Sequence, residues 1–183
     1  DNTYAIALEN ADKALESKEP LGPAKARNKA VEIAQGEVFV FLDADTILSE
    51  NFVENAVKAI QINSNVVGTC KAIPDPKTFS TILYYGFNDI MHMLKIYKGF
   101  VDGVIFCSKD LFLKVGGFDP EKKVGEFKDF MQRAKKFNVK YQYLGNCWAT
   151  TSARRVVEKG LFGAVWFWVW WKLTSSFKKK DKF

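Results

Sequence analysis

Two aspartates that lie close together in the sequence are the first candidates for chemistry. Asp43 and Asp45 flank one alanine directly after residues 38–42, a continuous apolar run of strand-favouring residues. Carboxylates at this spacing can reach one point and hold a hard cation, Mg²⁺ or Mn²⁺, which would in turn neutralise a diphosphate. An isolated pair of this kind is also typical of an aspartate that caps a turn or a helix. Other residues must therefore decide between the two interpretations.

A predicted helix start supplies positive charge upstream of this pair. The segment G-P-A-K-A-R-N places Pro23 at a first helical position and brings Lys25 and Arg27 into the first two turns, followed by Asn28. Helix N-termini and arginine guanidinium groups both bind phosphate well. Lys25 is better explained as a solvated surface cation, whereas Arg27 is a candidate for donor binding.

Candidates for proton transfer lie further along the chain. Glu126 and Asp129 are one helical turn apart, so both can face the same cleft. The alternative is that these acids simply favour the first turn of a helix. His92, the single histidine, lies between two methionines on an aromatic-rich segment, which favours a packed or surface side chain over a catalytic one. Neither histidine base chemistry nor a multi-histidine metal site is therefore expected.

The elements that must position these residues alternate between strands and helices, which predicts an α/β sandwich with a mostly parallel sheet. In such sheets the ligand binds at the carboxyl ends of the strands, where Asp43 and Asp45 are expected. Helices are predicted at about 1–16, 23–36, 49–62, 79–97, 109–115 and 126–137, strands at 38–42, 66–73, 101–107 and 139–144, and a last helix from about 153.

Taken together, the motifs resemble those of the family 2 inverting glycosyltransferases of the GT-A (Rossmann-like) fold, over essentially the whole chain. The resemblance rests on five segments in order, namely G-P-x-x-A-R-N, V-F-V-F-L-D-A-D-T, G-V-I-F-C with G-G-F-D, G-E-F-K-D-F with Arg133, and T-S-A-R-R at 151–155. The last segment is similar to a T-S-x-R-R element found in a membrane-associated branch of the family. The resemblance implies that Asp45 binds the metal, that Asp43 lies near the metal and the donor ribose, that Arg27 orients the nucleotide, and that Arg154 and Arg155 close over the diphosphate.

Two departures from the family pattern bear on activity. The family places its catalytic aspartate directly after the glutamate of G-E, where this chain has Phe127. Glu126 or Asp129 must then act as the base, with Glu126 preferred, or the base is absent. The chain also begins at D-N-T, which resembles the tail of the family's first nucleotide-binding segment. The strand before it is absent from the sequence, so we expect weakened donor binding if the molecule begins here.

Charge is distributed unevenly along the 183 residues. The net charge of +6 belongs to residues 154–183, whereas residues 1–153 are neutral overall, which argues against nucleic acid as a partner. The C-terminal segment also carries Trp166, Trp168, Trp170 and Trp171 with flanking lysines, typical of a helix at a membrane surface. Packing of these rings on the domain or on another subunit, and a truncated membrane segment, are the alternatives. Three scattered cysteines indicate neither a disulfide framework nor a zinc site and fit a cytoplasmic setting.

The sequence therefore predicts a catalytic domain at 1–153 and a basic, tryptophan-rich helix or tail at 154–183. The expected activity is metal-assisted, inverting transfer of a sugar from a nucleoside-diphosphate sugar to an acceptor hydroxyl or lipid phosphate. A homo-oligomer and a peripheral position on the cytoplasmic face of a membrane are both compatible with the tail. The competing hypothesis is a non-catalytic module that binds sugar nucleotides or docks on membranes. A sugar nucleotidyltransferase fits less well, because its Gly-rich N-terminal loop is not in the chain.

Overall fold

A five-stranded sheet organises the chain. The structure is a computed structural model that describes residues 2–94, 103–122, 124–161, 163 and 166. The strands are β1 (Val38–Leu42), β2 (Thr46–Leu48), β3 (Val66–Asp75), β4 (Val104–Ser108) and β5 (Lys140–Ser152). The helices are α1 (Thr3–Asn10), α2 (Pro23–Ile33), α3 (Phe52–Ile62), α4 (Phe79–Met93), α5 (Lys109–Val115) and α6 (Glu126–Ala134), with a 3-10 turn at Lys135–Phe137 and a further helical stretch at 154–161.

The prediction of a mostly parallel sheet is wrong, because the sheet is mixed. In the order β1-β4-β3-β5-β2, only β3 and β5 pair in parallel among the described strands, and the other three pairs are antiparallel. The prediction rested on the alternation of helices with strands, which does not fix strand direction. The burial of all five β4 residues does not fix it either, because a strand can be covered on both faces whichever way it points.

The directions of the strands still place the candidate residues at one edge. Strands β1, β3 and β5 run the same way, whereas β2 and β4 run against them. The carboxyl ends of β1 and β5 therefore lie beside the start of β4. Asp43 follows β1, Gly103 precedes β4, and the helical stretch at 154–161 follows β5. The predicted carboxyl edge is thus present in the mixed sheet.

Each face of the sheet has its own apolar core, as alternation along β1 and β4 requires. On one face α3 buries Phe52, Ala56 and Ile60 against a cluster that includes Val104 and Phe106. On the other face, α2, α5 and α6 cover a larger aromatic cluster: Phe39, Phe41, Phe112, Phe118, Phe127 and Phe130. Close packing of these rings fixes the helices that carry the candidate site relative to the sheet.

Several element boundaries differ from the prediction. Residues 46–48 form the short strand β2, so α3 begins at Phe52 with Asn51 as its N-cap rather than at Ser49. Strand β5 continues to Ser152 through an irregularity opposite Cys70 and Lys71, well beyond the predicted end at Leu144. The tryptophan-rich segment after residue 166 and the predicted strand and helix ends at 95–102 lie outside the described residues.

Two further predictions concern single residue types. His92 is buried, and its Nδ1 shares a hydrogen bond of 2.6 Å with the hydroxyl of Tyr141, which confirms that it is packed. Cys70, Cys107 and Cys147 are buried free thiols. No helix within the described parts of the chain is long and apolar enough to span a bilayer.

Candidate functional site

One arginine joins the two candidate acidic segments. The guanidinium of Arg27 donates from Nη2 to Oδ1 of Asp43 and from Nη1 to Oε1 of Glu126, both at 2.5 Å. Arg27 and Glu126 are largely buried, whereas the Asp43 side chain is 39% exposed. Residues from α2, from the loop after β1 and from the start of α6 therefore meet at one point, which we call the Arg27 cluster.

Helix α2 places the arginine through its own start and one side-chain clamp. Gly22 at the N-cap has a φ of 73°, which favours glycine, and Pro23 takes the first helical position. One turn later, the Asn28 side chain donates to the carbonyl of Phe118 at 2.7 Å and accepts from its N–H at 3.0 Å. This two-way bond fixes α2 against the G-G-F-D loop. Arg27 also lies over the ring of Phe127, 4.5 Å from its centroid.

Backbone hydrogen bonds hold the D-A-D loop at the sheet edge. The N–H of Asp43 donates to the carbonyl of Gly103 at 2.8 Å, and the carbonyl of Asp45 accepts from the N–H of Ser152 at 3.2 Å. Beside the loop, the hydroxyls of Thr46 and Thr151 are 2.9 Å apart. The backbone of the two aspartates is thus anchored to the start of β4 and the end of β5.

Electrostatics in the cluster favour a bound cation. Burial raises the pKa of Asp43, Arg27 lowers it, and the nearby Asp45 and Glu126 carboxylates raise it again. The Asp43 carboxylate therefore lies near two other carboxylates and one guanidinium. The described residues contain no group of three ligands close enough to hold a metal alone. Two carboxylates nevertheless suit Mg²⁺ or Mn²⁺, which completes its coordination with water and substrate phosphates, so the donor set of Asp43 and Asp45 fits such an ion.

The start of α6 gives its acidic residues different surroundings. Glu126 faces Arg27, whereas Oδ2 of Asp129 accepts from Nε of Arg133 at 2.8 Å. Arg133 in turn donates to the carbonyls of Val115 at 2.8 Å and Gly117 at 2.7 Å. Asp129 is therefore joined to the loop after α5 and is not brought into the Arg27 cluster. The two acids share a helical turn but not a set of partners.

The remaining cations stay at the surface. Arg154 and Arg155 are exposed at the start of the helical stretch after β5, and the Arg154 guanidinium is 3.9 Å from Glu158. The N–H of Ser152, at the end of β5, donates to the carbonyl of Asp45, so this helix start lies close to the D-A-D loop in space. Neither arginine, however, joins the Arg27 cluster. Lys25 is half exposed and 3.8 Å from Glu121, as expected of a surface cation.

Sequence reasoning included Gly103 in the G-V-I-F-C segment but missed its role beside the D-A-D loop. Its φ is 85°, and a Cβ added there would lie 2.5 Å from the hydroxyl of Thr46 and 3.1 Å from that of Thr151. Only glycine lets the backbone before β4 approach the D-A-D loop so closely. A glycine inside the predicted strand at 101–107 was the available signal. Its partners come from β2 and β5, which local patterns do not connect.

The fold has counterparts among glycosyltransferases. GalNAc-T7, solved with UDP, GalNAc and Mn²⁺, superposes with a TM-score of 0.61 at 15% identity, over 81% of this chain and 33% of that one. A Pyrobaculum calidifontis mannosyltransferase with GDP-Man and Mn²⁺ gives 0.62 at 17%, over 75% and 38%. S. aureus TarS with UDP-GlcNAc gives 0.60 at 19%, over 82% and 46%. At such identities these likenesses show a GT-A-like fold.

The sequence itself matches the model of glycosyl transferase family 2 over residues 1–155, and the chain belongs to that family. This confirms the family predicted from the five motifs. A Drosophila melanogaster protein, polypeptide N-acetylgalactosaminyltransferase 13, is 26% identical over 60% of this chain and 24% of its own length. The chain thus spans between a quarter and a half of the length of these relatives.

Proposed function

We propose that this chain forms the catalytic core of a glycosyltransferase that moves a sugar, with inversion, from a nucleoside-diphosphate sugar to an acceptor hydroxyl or lipid phosphate. The observation that carries the proposal is the Arg27 cluster. It joins the D-A-D loop to Glu126 at the sheet edge where ligands of such folds bind. The relatives solved with UDP, GDP-Man or UDP-GlcNAc support a nucleotide-sugar donor.

Asp43 and Asp45 would hold a Mg²⁺ or Mn²⁺ ion in this proposal, and the structural neighbours solved with Mn²⁺ support this. When bound, the ion would stabilise negative charge on the diphosphate leaving group. Arg27 serves as a positioning residue here, because both terminal nitrogens of its guanidinium, Nη1 and Nη2, already donate to carboxylates. Arg154 and Arg155 are free to approach the diphosphate, since both are exposed beside the loop.

Glu126 is the preferred base. As a carboxylate it can accept the proton of an acceptor hydroxyl during attack on the anomeric carbon, and Arg27 fixes its position. Asp129 fits a structural role better, because its carboxylate binds the arginine that holds the loop after α5. We therefore assign proton transfer to Glu126 and loop anchoring to Asp129.

One observation favours the non-catalytic alternative. Phe127, where the family pattern has an acid, is 8% exposed and packs in the aromatic core with Phe118. A carboxylate is therefore absent at that position, and the domain gains packing in its place. A module that only binds sugar nucleotides would show donor binding without transfer.

Calorimetric titration with UDP and GDP, with and without Mn²⁺, tests the donor site. We expect metal-dependent binding to the wild-type chain and its loss in Asp45→Ala. The matched control is Asp110→Ala, because Asp110 lies in the first turn of α5 outside the Arg27 cluster. No binding by the wild-type chain, or equal binding by Asp45→Ala, would contradict the proposed site. Binding without release of nucleoside diphosphate in the presence of acceptors would favour the non-catalytic module.

A further inference from the structure

Helix α4 has its polar and apolar faces reversed. The residues that face the sheet are polar or ionisable: Thr81, Tyr85, Asp89 and His92, all buried. The residues on the outer side are apolar and each is at least half exposed: Phe79, Ile82, Leu83, Ile90, Met93 and Leu94. Their spacing of three, four and seven residues places them on one stripe. In a helix that only faces water, the outer side is polar, so this stripe needs a partner.

The stripe also has no charged side chain that would favour its exposure to water. Between residues 79 and 94, Asp89 is the single Asp, Glu, Lys or Arg, and it is buried. A helix of fifteen residues is about 22 Å long at 1.5 Å per residue. A ridge of this length, apolar from end to end, suits shallow insertion into an apolar layer rather than the filling of a pocket.

Positive charge lies on the same side of the molecule. Val156, in the helical stretch at 154–161, packs in one small core cluster with Tyr85 of α4. Arg154, Arg155 and Lys159 are exposed on that stretch together with one acid, Glu158, and Lys77 is exposed just before α4. The whole excess of +6 belongs to residues 154–183 in the sequence. An apolar ridge flanked by cations complements an anionic lipid surface.

We propose that the outer stripe of α4 docks on a membrane that contains anionic lipids, with the basic stretch after β5 beside it. Charge argues against a second copy as the occupant, because each copy would bring the same cations to the contact. This interaction surface goes beyond the proposed reaction and does not depend on it. It would place the domain at the surface of a bilayer, where a lipid-linked acceptor lies.

Vesicle co-sedimentation of the full chain tests the proposal. We compare wild type with the double variant I82Q/I90Q and with the control V53Q/I62Q, whose exposed residues lie on α3 at the opposite face of the sheet. We expect binding to vesicles of phosphatidylcholine with phosphatidylglycerol and little to phosphatidylcholine alone. I82Q/I90Q should bind about tenfold more weakly, and the control should match wild type. Equal vesicle binding by all three proteins would overturn the proposal.

A fluorescent probe separates a membrane from other occupants. The native thiols are buried, and burial raises the pKa of Cys70 to about 12, so a cysteine at position 90 can be labelled selectively. An environment-sensitive dye on Ile90→Cys should shift to the blue on adding anionic vesicles, whereas one on Ile62→Cys should not. A blue-shifted dye without vesicles at every protein concentration would mean that the chain covers the stripe itself. A shift that follows protein concentration would mean self-association. Either result overturns the proposal.

Discussion

Two polar clusters lie on the helix-rich side of this molecule, and they differ in what their partners are. In the Arg27 cluster, the guanidinium of Arg27 binds the Asp43 and Glu126 carboxylates at the edge of the sheet, and the Asp45 carboxylate lies near that of Asp43. Under α4, Asp89 accepts from the N–H of Ala72 at 3.2 Å and from the hydroxyl of Tyr143 at 3.0 Å, beside the pair of His92 and Tyr141. We call this second group the Asp89 cluster.

The comparison shows that a raised pKa does not identify a site. Burial raises the pKa of Asp43 and that of Asp89. The Asp89 carboxylate, however, is 8% exposed and has neutral hydrogen-bond donors, so it is enclosed and satisfied. Asp43 is accessible and lies among other charges that a ligand could rearrange. Access and unbalanced charge, rather than the shift alone, distinguish a candidate active site from a structural polar group.

The largest expected effect is on catalysis by the Arg27 cluster. Once donor binding is established, Glu126→Gln should lower the rate of nucleoside diphosphate release about 10²–10⁴-fold, the usual contribution of a general base. Asp129→Asn is the matched control, because it also removes a charge from the first turn of α6. Steady-state kinetics with a coupled assay would measure both. A greater loss of turnover in Asp129→Asn would reverse our assignment of the two acids.

Removing the central cation should have the next largest effect, on stability. Arg27→Met leaves the Asp43 and Glu126 carboxylates without their shared partner, and breaking such a buried pair costs several kcal/mol. Because Asp43 is partly exposed, we expect a loss of about 3 kcal/mol in the free energy of unfolding.

Urea denaturation would measure this loss against Arg154→Met as the control. The Arg154 side chain is 75% exposed and its acidic neighbour is 3.9 Å away, so the control should change stability by less than about 1 kcal/mol. Equal effects of the two substitutions would show that the bridge contributes nothing to the fold.

Two glycine substitutions, one beside each cluster, should have smaller effects on stability and can be compared as a pair. Gly103→Ala would press a methyl group to within 2.5 Å of the Thr46 hydroxyl at a positive φ, which should destabilise the protein by about 1–3 kcal/mol. Gly86→Ala, on α4, meets nothing within 4 Å in a helix interior, so it should stabilise by about 0.5–1 kcal/mol. Thermal melts would compare the two, and a loss of stability in both would contradict the open space at Gly86.

The sequence predicts those features of the fold and the site that depend on local patterns, and it does not predict those that depend on contacts between distant elements. The D-A-D loop, the start of α2 at Pro23 and the acids at 126 and 129 all follow from local patterns and motif order. The partners of those acids do not, because Arg27 and Arg133 are chosen by packing between distant elements. The sequence favours Glu126 as the base, but the different partners of Glu126 and Asp129 are visible only when α6 packs between α2 and the loop after α5.

Local sequence patterns also do not predict strand direction or the length of β5, because both depend on long-range pairing. Gly145 and Asn146 are typical of a turn, yet β5 absorbs them in an irregularity and continues to Ser152. The second half of β5 is stabilised by its long-range partners, β2 and the end of β3. The reversal of α4 is likewise visible only once the sheet shows which side of the helix is buried.

The smallest expected effect is at Asp89, whose ionisable carboxyl group should be dispensable for the stability of the fold. Burial is the largest cause of its raised pKa, opposed by the hydrogen bonds from Ala72 and Tyr143. The native state therefore holds this proton more tightly than the unfolded chain. Ionised Asp89 destabilises the fold increasingly as pH rises from about 4 through the raised pKa, and this loss disappears as pH falls again.

Asp89→Asn keeps an oxygen that can accept from the Ala72 N–H and the Tyr143 hydroxyl. At pH near 7 the variant should therefore equal or exceed wild-type stability, with a difference of less than about 1.5 kcal/mol. The difference should shrink as the pH falls towards about 4, because the raised pKa of Asp89 favours its protonated form in the native state as the pH falls. Urea denaturation at both pH values measures this difference directly. A variant much less stable than wild type at neutral pH would mean that the Asp89 charge itself stabilises α4 on the sheet.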